Sequence, residues 1–79
     1  MAVITDATEA WATGVTLAAD EFWQVTEGGP ARFTHESTPA VNDGAYVPLH
    51  HGLIFASGTT VKYRKATAAA TVITRTQVR

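Results

Sequence analysis

The sequence predicts an all-β protein, a small antiparallel β-sandwich or barrel of about seven short strands. Short runs of β-branched and aromatic residues recur at near-regular spacing along the chain. Glycine- and proline-containing turns separate these runs, and no stretch has a convincing helical period. This pattern is typical of antiparallel sandwiches and small barrels.

The clearest local signal lies at residues 52–65, where two runs of strand length flank a Ser-Gly-Thr turn centred on Gly58. Glycine accepts a positive φ at little cost, so this stretch is expected to form a hairpin. In its second run, Val61 and Tyr63 alternate with Lys62 and Arg64. The alternation predicts an apolar face toward the core and a basic face toward water or a partner.

Five further strands are expected at residues 14–17, 21–26, 31–36, 45–49 and 70–76. Residues 21–36 are expected to form a second hairpin around the turn at residues 27–30. Residues 37–44 form the longest loop, punctuated by Pro39 and by the Asp43-Gly44 dipeptide. Contacts with partners are commonly made by loops of this kind.

Residues 1–13 are interpreted as an N-terminal arm and residues 14–79 as a single β domain. Residues 2–5 are a short β-prone run. Residues 6–12 could form one helical turn with Asp6 as its N-cap. Alternatively, they could be an extended arm whose Trp11 inserts into a neighbouring subunit, because termini are poorly ordered unless something holds them.

The composition indicates a core that needs help from outside the subunit. Val, Ile, Leu and Phe total 17 of the 79 residues, whereas Ala and Thr total 27. Small side chains bury little area, and a chain of this length is close to the balance between burial and chain entropy. The chain has no cysteine and therefore no disulfide. Association into a homo-oligomer or a larger assembly is therefore expected.

The charges are segregated along the chain although the net charge is only −1. All seven acidic residues lie within the first 43 positions, and five of the six basic residues lie at positions 62–79. The near-zero net charge argues against direct binding of nucleic acid. The segregated charges either complement each other within or between subunits, or form a basic surface for an acidic partner. Lys62, Arg64 and Arg75 are expected to share that basic patch.

No residue pattern predicts catalysis, a metal or another cofactor. His50 and His51 are adjacent, so on an extended strand they point to opposite faces and could not readily share an ion. The absence of cysteine excludes thiol chemistry, and no glycine-rich phosphate loop is present. The start of the chain lacks a secretory signal pattern, and no apolar run is long enough to span a membrane. We therefore expect a non-enzymatic protein without cofactors or a membrane partner.

Most of the seven aromatic residues are expected in the core, because the chain has few other large apolar side chains. Trp11 and Tyr46 are the two expected at the surface, where they could contact a sugar. Together with the basic residues they complete the candidate interface set, which is Trp11, Tyr46, Lys62, Arg64 and Arg75.

Four segments in sequence resemble a known type of protein. These are residues 22–28, residues 38–45, residues 49–52 and residues 56–64, the last reading Ala-Ser-Gly-Thr-Thr-Val-Lys-Tyr-Arg. Their order and spacing resemble small β-rich structural proteins of tailed phages and gene transfer agents, which serve as head decoration, head-fibre or spike-base, or tail-associated subunits. The resemblance covers roughly residues 14–79. The segment up to Trp11 has no counterpart in it.

The resemblance implies a non-enzymatic virion structural protein, with no catalytic residue to carry over. It implies a capsid decoration or a head-fibre or spike subunit, assembled in the host cytoplasm and located in the virion. Its partners would be further copies of itself and other virion proteins, such as the major capsid protein or a fibre or spike subunit. The alternative is a carbohydrate- or receptor-binding β module of a fibre or tail tip.

Overall fold

Alternating apolar and polar residues form eight β-strands in the computed structural model, which describes residues 2–40 and 42–78. The strands are β1 (Ala2–Ile4), β2 (Val15–Thr16), β3 (Glu21–Glu27), β4 (Ala31–Thr34), β5 (Ala45–Val47), β6 (Gly52–Phe55), β7 (Thr60–Lys65) and β8 (Val72–Gln77). Three positions lie outside the described residues, namely Met1 of the predicted arm, Val41 of the predicted loop and Arg79 at the end of the predicted domain.

The strands form two antiparallel four-stranded sheets. Sheet I has the order β1-β8-β3-β6, and sheet II has the order β2-β7-β4-β5. This is the strand order of a jelly roll, in which two sheets pack face to face. The predicted all-β sandwich is thus confirmed, with eight strands rather than about seven. The additional strand is β1, where Ile4 pairs with Ile73 of β8.

Nearly every connection carries the chain from one sheet to the other. Among the described strands, only β4 and β5 are both consecutive and hydrogen-bonded to each other. The predicted hairpin at residues 52–65 has its turn, since Gly58 has a φ of 85° and the Thr59 amide donates to the Ala56 carbonyl at 3.2 Å. Its pairing is wrong, because β6 pairs with β3 and β7 pairs with β4. The apolar faces of β6 and β7 meet across the core instead.

The second predicted hairpin, at residues 21–36, is corrected in the same way. β3 lies in sheet I and β4 in sheet II, so the turn between them crosses the end of the sandwich. Gly28 and Gly29 both have positive φ, and the Gly29–Pro30 peptide is cis. The Gly29 amide donates to Thr71 Oγ1 at 3.2 Å, which ties this crossing to the residue before β8.

The segment that precedes β2 packs on its own domain. No helix forms within the described residues, so the helical alternative for residues 6–12 is wrong. The Ala12 amide donates to the Tyr63 carbonyl at 3.0 Å, and the Lys65 amide donates to the Thr8 carbonyl at 2.8 Å. This segment therefore runs beside β7 of the same chain.

The core lies between the sheets and is centred on Trp23, which is fully buried. Its ring meets Phe33 of sheet II and Phe55 of sheet I edge to face, with centroid separations of 5.7 and 5.9 Å. Tyr63 approaches at 6.1 Å from sheet II. Such aromatic pairs contribute about 0.5–1.5 kcal/mol each beyond their buried area. Trp23 therefore joins the two sheets.

Two glycines have similar backbone conformations but different surroundings. Substituting each of them distinguishes the stability cost of a steric clash from the cost of a positive φ. A Cβ on Gly28 would lie 1.7 Å from the Ala70 carbonyl oxygen, whereas a Cβ on Gly58 would meet nothing within 4 Å. We expect Gly58→Ala to lower the free energy of unfolding by about 1 kcal/mol, from positive φ alone. We expect Gly28→Ala to lower it by roughly 3 kcal/mol or more. Urea denaturation measures both, and equal losses would contradict this account of the turn at Gly28.

Candidate interaction surfaces

A row of two arginines between two aromatic rings crosses the outer face of sheet II. Arg32 of β4 and Arg64 of β7 are direct cross-strand partners. The Arg32 guanidinium lies 5.4 Å from the centroid of the Tyr46 ring, and the Arg64 guanidinium lies 5.9 Å from that of Trp11. Cation–π contacts of this kind offset the repulsion between neighbouring like charges. We call these four residues the arginine row.

The chain itself covers much of the arginine row. Arg64 is only 7% exposed, and its Nε donates to the Glu9 carbonyl at 2.8 Å. Arg32 donates to the Asn42 carbonyl at 3.2 Å. The Trp11 indole N–H donates to the Ala40 carbonyl at 2.7 Å. The N-terminal segment and the loop after β4 thus supply the oxygens that the arginines and the indole need.

Lys62 lies on the same outer face and is also engaged, because its ammonium donates to the Ser37 carbonyl at 2.6 Å. The predicted basic face therefore exists on β7, but the N-terminal segment and the long loop enclose it. The expectation of an open basic patch is wrong for Arg64, because a guanidinium with a satisfied donor under a tryptophan ring is not available to a partner. Tyr46 remains 54% exposed, whereas Trp11 is half-buried.

Arg75 is separated from the other basic residues. It lies on β8 of sheet I, where its Nε and one terminal nitrogen donate to the two Glu21 oxygens at 2.8 and 3.0 Å. Its guanidinium also lies 5.2 Å from the Trp23 ring centroid, and Trp23 Nε1 donates to Glu21 at 3.0 Å. The prediction that Arg75 extends the basic patch is wrong, because β7 and β8 belong to different sheets.

Two pKa values are shifted by these contacts. Hydrogen bonding and attraction to Arg75 hold the pKa of Glu21 below its ordinary value, against an opposing contribution from burial. Burial raises the pKa of Tyr63, and its hydrogen bond to Asp6 at 2.9 Å adds to the rise. Both groups tie chain segments together, since Glu21 joins β3 to β8 and Tyr63 joins β7 to the segment after β1.

The outer face of sheet I is built quite differently, because its strands present mostly uncharged side chains to the outside. Strand register and alternation place on it the residues Val3, Phe22, Gln24, Thr26, Gly52, Ile54, Val72, Thr74 and Thr76. Ile54 is 69% exposed and Val3 is 56% exposed. Glu27, the last residue of β3, is exposed and pairs with Val72 across the strands, so it adds one charge at the end of this surface. We call these nine residues the uncharged face.

Sequence reasoning did not find the uncharged face. Its members come from four strands that are far apart in sequence, and in each strand they occupy one of two alternating sets of positions. In β8 the choice lies between the set containing Thr74 and the set containing Arg75, and the charged set is the one that faces inward. Only the pairing of the strands shows which set lies outside.

A cleft of about 480 Å³ also opens between the two sheets. Its lining residues are Phe33, Thr34, His35, Glu36, Gly44, Ala45, Leu53 and Phe55. Glu36 accepts a hydrogen bond from the Thr34 hydroxyl at 3.5 Å. Among these lining residues, no nucleophile, base and orienting group lie together. The cleft therefore gives no reaction that can be assigned to it.

Within residues 2–40 and 42–78, no three His, Cys, Asp or Glu side chains cluster closely enough to hold a metal ion. The same part of the chain contains no helix that could cross a membrane. We find no match to this chain among protein-family models, curated proteins or solved structures.

Charge reversal at the two basic residues of β7 should have unequal effects on stability. Arg64→Glu places a carboxylate against the Glu9 carbonyl in a buried position, so we expect the free energy of unfolding to fall by roughly 3 kcal/mol or more. Lys62→Glu changes a half-buried group that donates one hydrogen bond, so we expect a loss of about 1 kcal/mol. Chemical denaturation provides the measurement. Similar small losses in both variants would show that the N-terminal segment does not seal Arg64.

The Glu21–Arg75 pair should make stability depend on acid. Because the folded pKa of Glu21 lies below its unfolded value of about 4.3, its contribution is present above that value and is lost as pH falls through the folded pKa. We expect Glu21→Gln to cost about 1–3 kcal/mol at pH 7 and to flatten the loss of stability below about pH 4. Arg75→Gln should flatten it as well. Wild-type acid dependence in both variants would contradict the assignment.

Proposed function

We propose that this protein is a non-enzymatic structural subunit of a phage-like particle, a capsid decoration or a head-fibre or spike subunit. It is assembled in the host cytoplasm and resides in the virion, where it contacts other virion proteins such as the major capsid protein. The observation that carries the proposal is the uncharged face of sheet I. A sheet face of this composition is typical of a surface covered by another protein, as happens when a structural subunit assembles.

The composition of the uncharged face supports assembly. The solvent-facing side of an antiparallel sheet is ordinarily polar, and protein surfaces carry many Lys, Arg, Asp and Glu side chains. The buried centres of protein interfaces are depleted in charge and enriched in apolar groups. Phe22, Ile54 and Val3 lie on a face whose remaining members are Val, Thr, Gln and Gly. That composition fits an interface better than a solvated surface.

The architecture is compatible with this role by analogy of fold alone. Jelly rolls form viral capsid domains, and they also form lectins and cupins. Residue-level observations favour assembly over sugar binding. The two rings proposed for a sugar platform lie at opposite ends of the arginine row, and each already contacts a guanidinium.

The test is to purify particles released by cells that carry the gene and to follow this chain by mass spectrometry through a density gradient. We expect it to co-sediment with particles and to stay bound from about 50 mM to about 1 M NaCl, because salt screens charge pairs and leaves apolar contacts intact. An attachment made by the segregated charges would instead weaken as the salt concentration rises. Lys62→Glu serves as the control and should co-sediment like the wild type.

Absence of the chain from every particle fraction would contradict the proposed function. Release by salt alone would show that charged groups, and not apolar contacts, hold the chain on the particle. A cryo-EM map of the particle would show directly which sheet is covered.

A further inference from the structure

We propose that the uncharged face of sheet I binds a second copy of this chain, so that two subunits pack back to back through their β1-β8-β3-β6 sheets. The inference rests on the proposed function in that it names the partner of the same surface. It goes further by committing to a symmetric contact between identical faces, which the subunit makes before it meets any other protein.

Charge is the first argument for a second copy. The described residues present most charged side chains on sheet II, on the loops and at the ends of the sandwich, and the outer face of sheet I carries a single one, Glu27, beside Val72 at its end. A charged partner would lose hydration there without finding an opposite charge. An identical uncharged face meets it without repulsion and without an unpaired ion. An isologous contact, in which the same patch serves on both subunits, follows from this match.

The polar groups of the face are the second argument, because several are already paired within the subunit. The hydroxyls of Thr26 and Thr74 lie 2.9 Å apart, and the Gln24 side-chain amide donates to the His50 carbonyl at 3.0 Å. A polar group that keeps its hydrogen bond when water leaves incurs little desolvation cost. Removing water from this face therefore costs less free energy than its threonine content suggests.

Shape is the third argument. A Cβ on Gly52 would lie 2.8 Å from the tip of the Phe22 ring, so this ring lies over Gly52 on the outside of the sheet. Ile54 pairs with Phe22 across the strands, and Val3 lies on the opposite edge strand of the sheet. The face thus carries an aromatic–aliphatic anchor at one edge and short side chains toward the other. Anchors of this kind dominate the energy of interfaces.

The area that a dimer contact needs is a modest share of the surface of the chain. A protein interface of standard size buries about 800 Å² on each partner. That is less than one fifth of the 4414 Å² of accessible surface of this chain. Interfaces of that size reach micromolar affinity or better.

The experiment uses the full chain in isolation, by size-exclusion chromatography with light scattering at about 100 µM, well above a micromolar Kd. We expect the wild type to elute with the mass of two chains, twice 8.4 kDa. Ile54→Lys and Thr76→Lys should each elute as single chains, because lysines would be buried in pairs across the symmetric contact. Thr38→Lys makes the same change on the loop over sheet II and should remain dimeric.

Each side chain chosen for substitution is exposed, so folding is retained, and unchanged circular dichroism verifies this. A wild-type chain that elutes as a monomer would overturn the inference, as would a dimer that survives both substitutions on the uncharged face. A monomer that still co-sediments with particles leaves the proposed function standing and removes only the second copy. A dimer that is absent from particles would support the second copy and contradict the proposed function.

Discussion

The packing of side chains around Trp23 holds this molecule together, because the backbone does so only within each sheet. Six of the seven connections between consecutive described strands pass from one sheet to the other, so hydrogen bonding between neighbours in sequence contributes little. Trp23 contacts Phe33 and Tyr63 of sheet II and Phe55 of its own sheet. The pair of Glu21 and Arg75 covers the end of this cluster. The positions of both outer faces depend on that central contact.

The positions of the strands could be predicted from the sequence, but their pairing could not. Val61 and Tyr63 alternate with Lys62 and Arg64 whether β7 is one arm of a hairpin or lies across the core from β6. The turn at Gly58 has the same local requirement in either case. The information that separates the two arrangements is the fit of Trp23 between distant strands, and no short stretch of sequence contains it. The placement of Arg75 failed for the same reason, since it assumed that consecutive strands share a sheet.

The two outer faces differ in how far other segments of the chain cover them. On sheet II, the N-terminal segment and the loop after β4 cover the arginine row, and backbone carbonyls of Glu9, Asn42 and Ser37 accept from its cations and from Lys62. On sheet I, Gln24 donates to the His50 carbonyl, and Ile54 and Val3 stay largely exposed. Candidate residues chosen for their charge thus proved to serve the fold of the subunit. The outer face that is left more open consists of side chains that no sequence pattern singles out.

The position of β8 has a consequence for how the protein is made. This strand lies between β1 and β3, and its residues are translated after those of every other strand. Until residues 72–77 leave the ribosome, β1 has no pairing partner, β3 has an unpaired edge and Glu21 has no Arg75 beside it. The nascent chain can form the β4–β5 hairpin locally, but sheet I has to wait. An unpaired strand edge next to apolar side chains is prone to aggregate, so this chain is most exposed to aggregation before β8 has emerged.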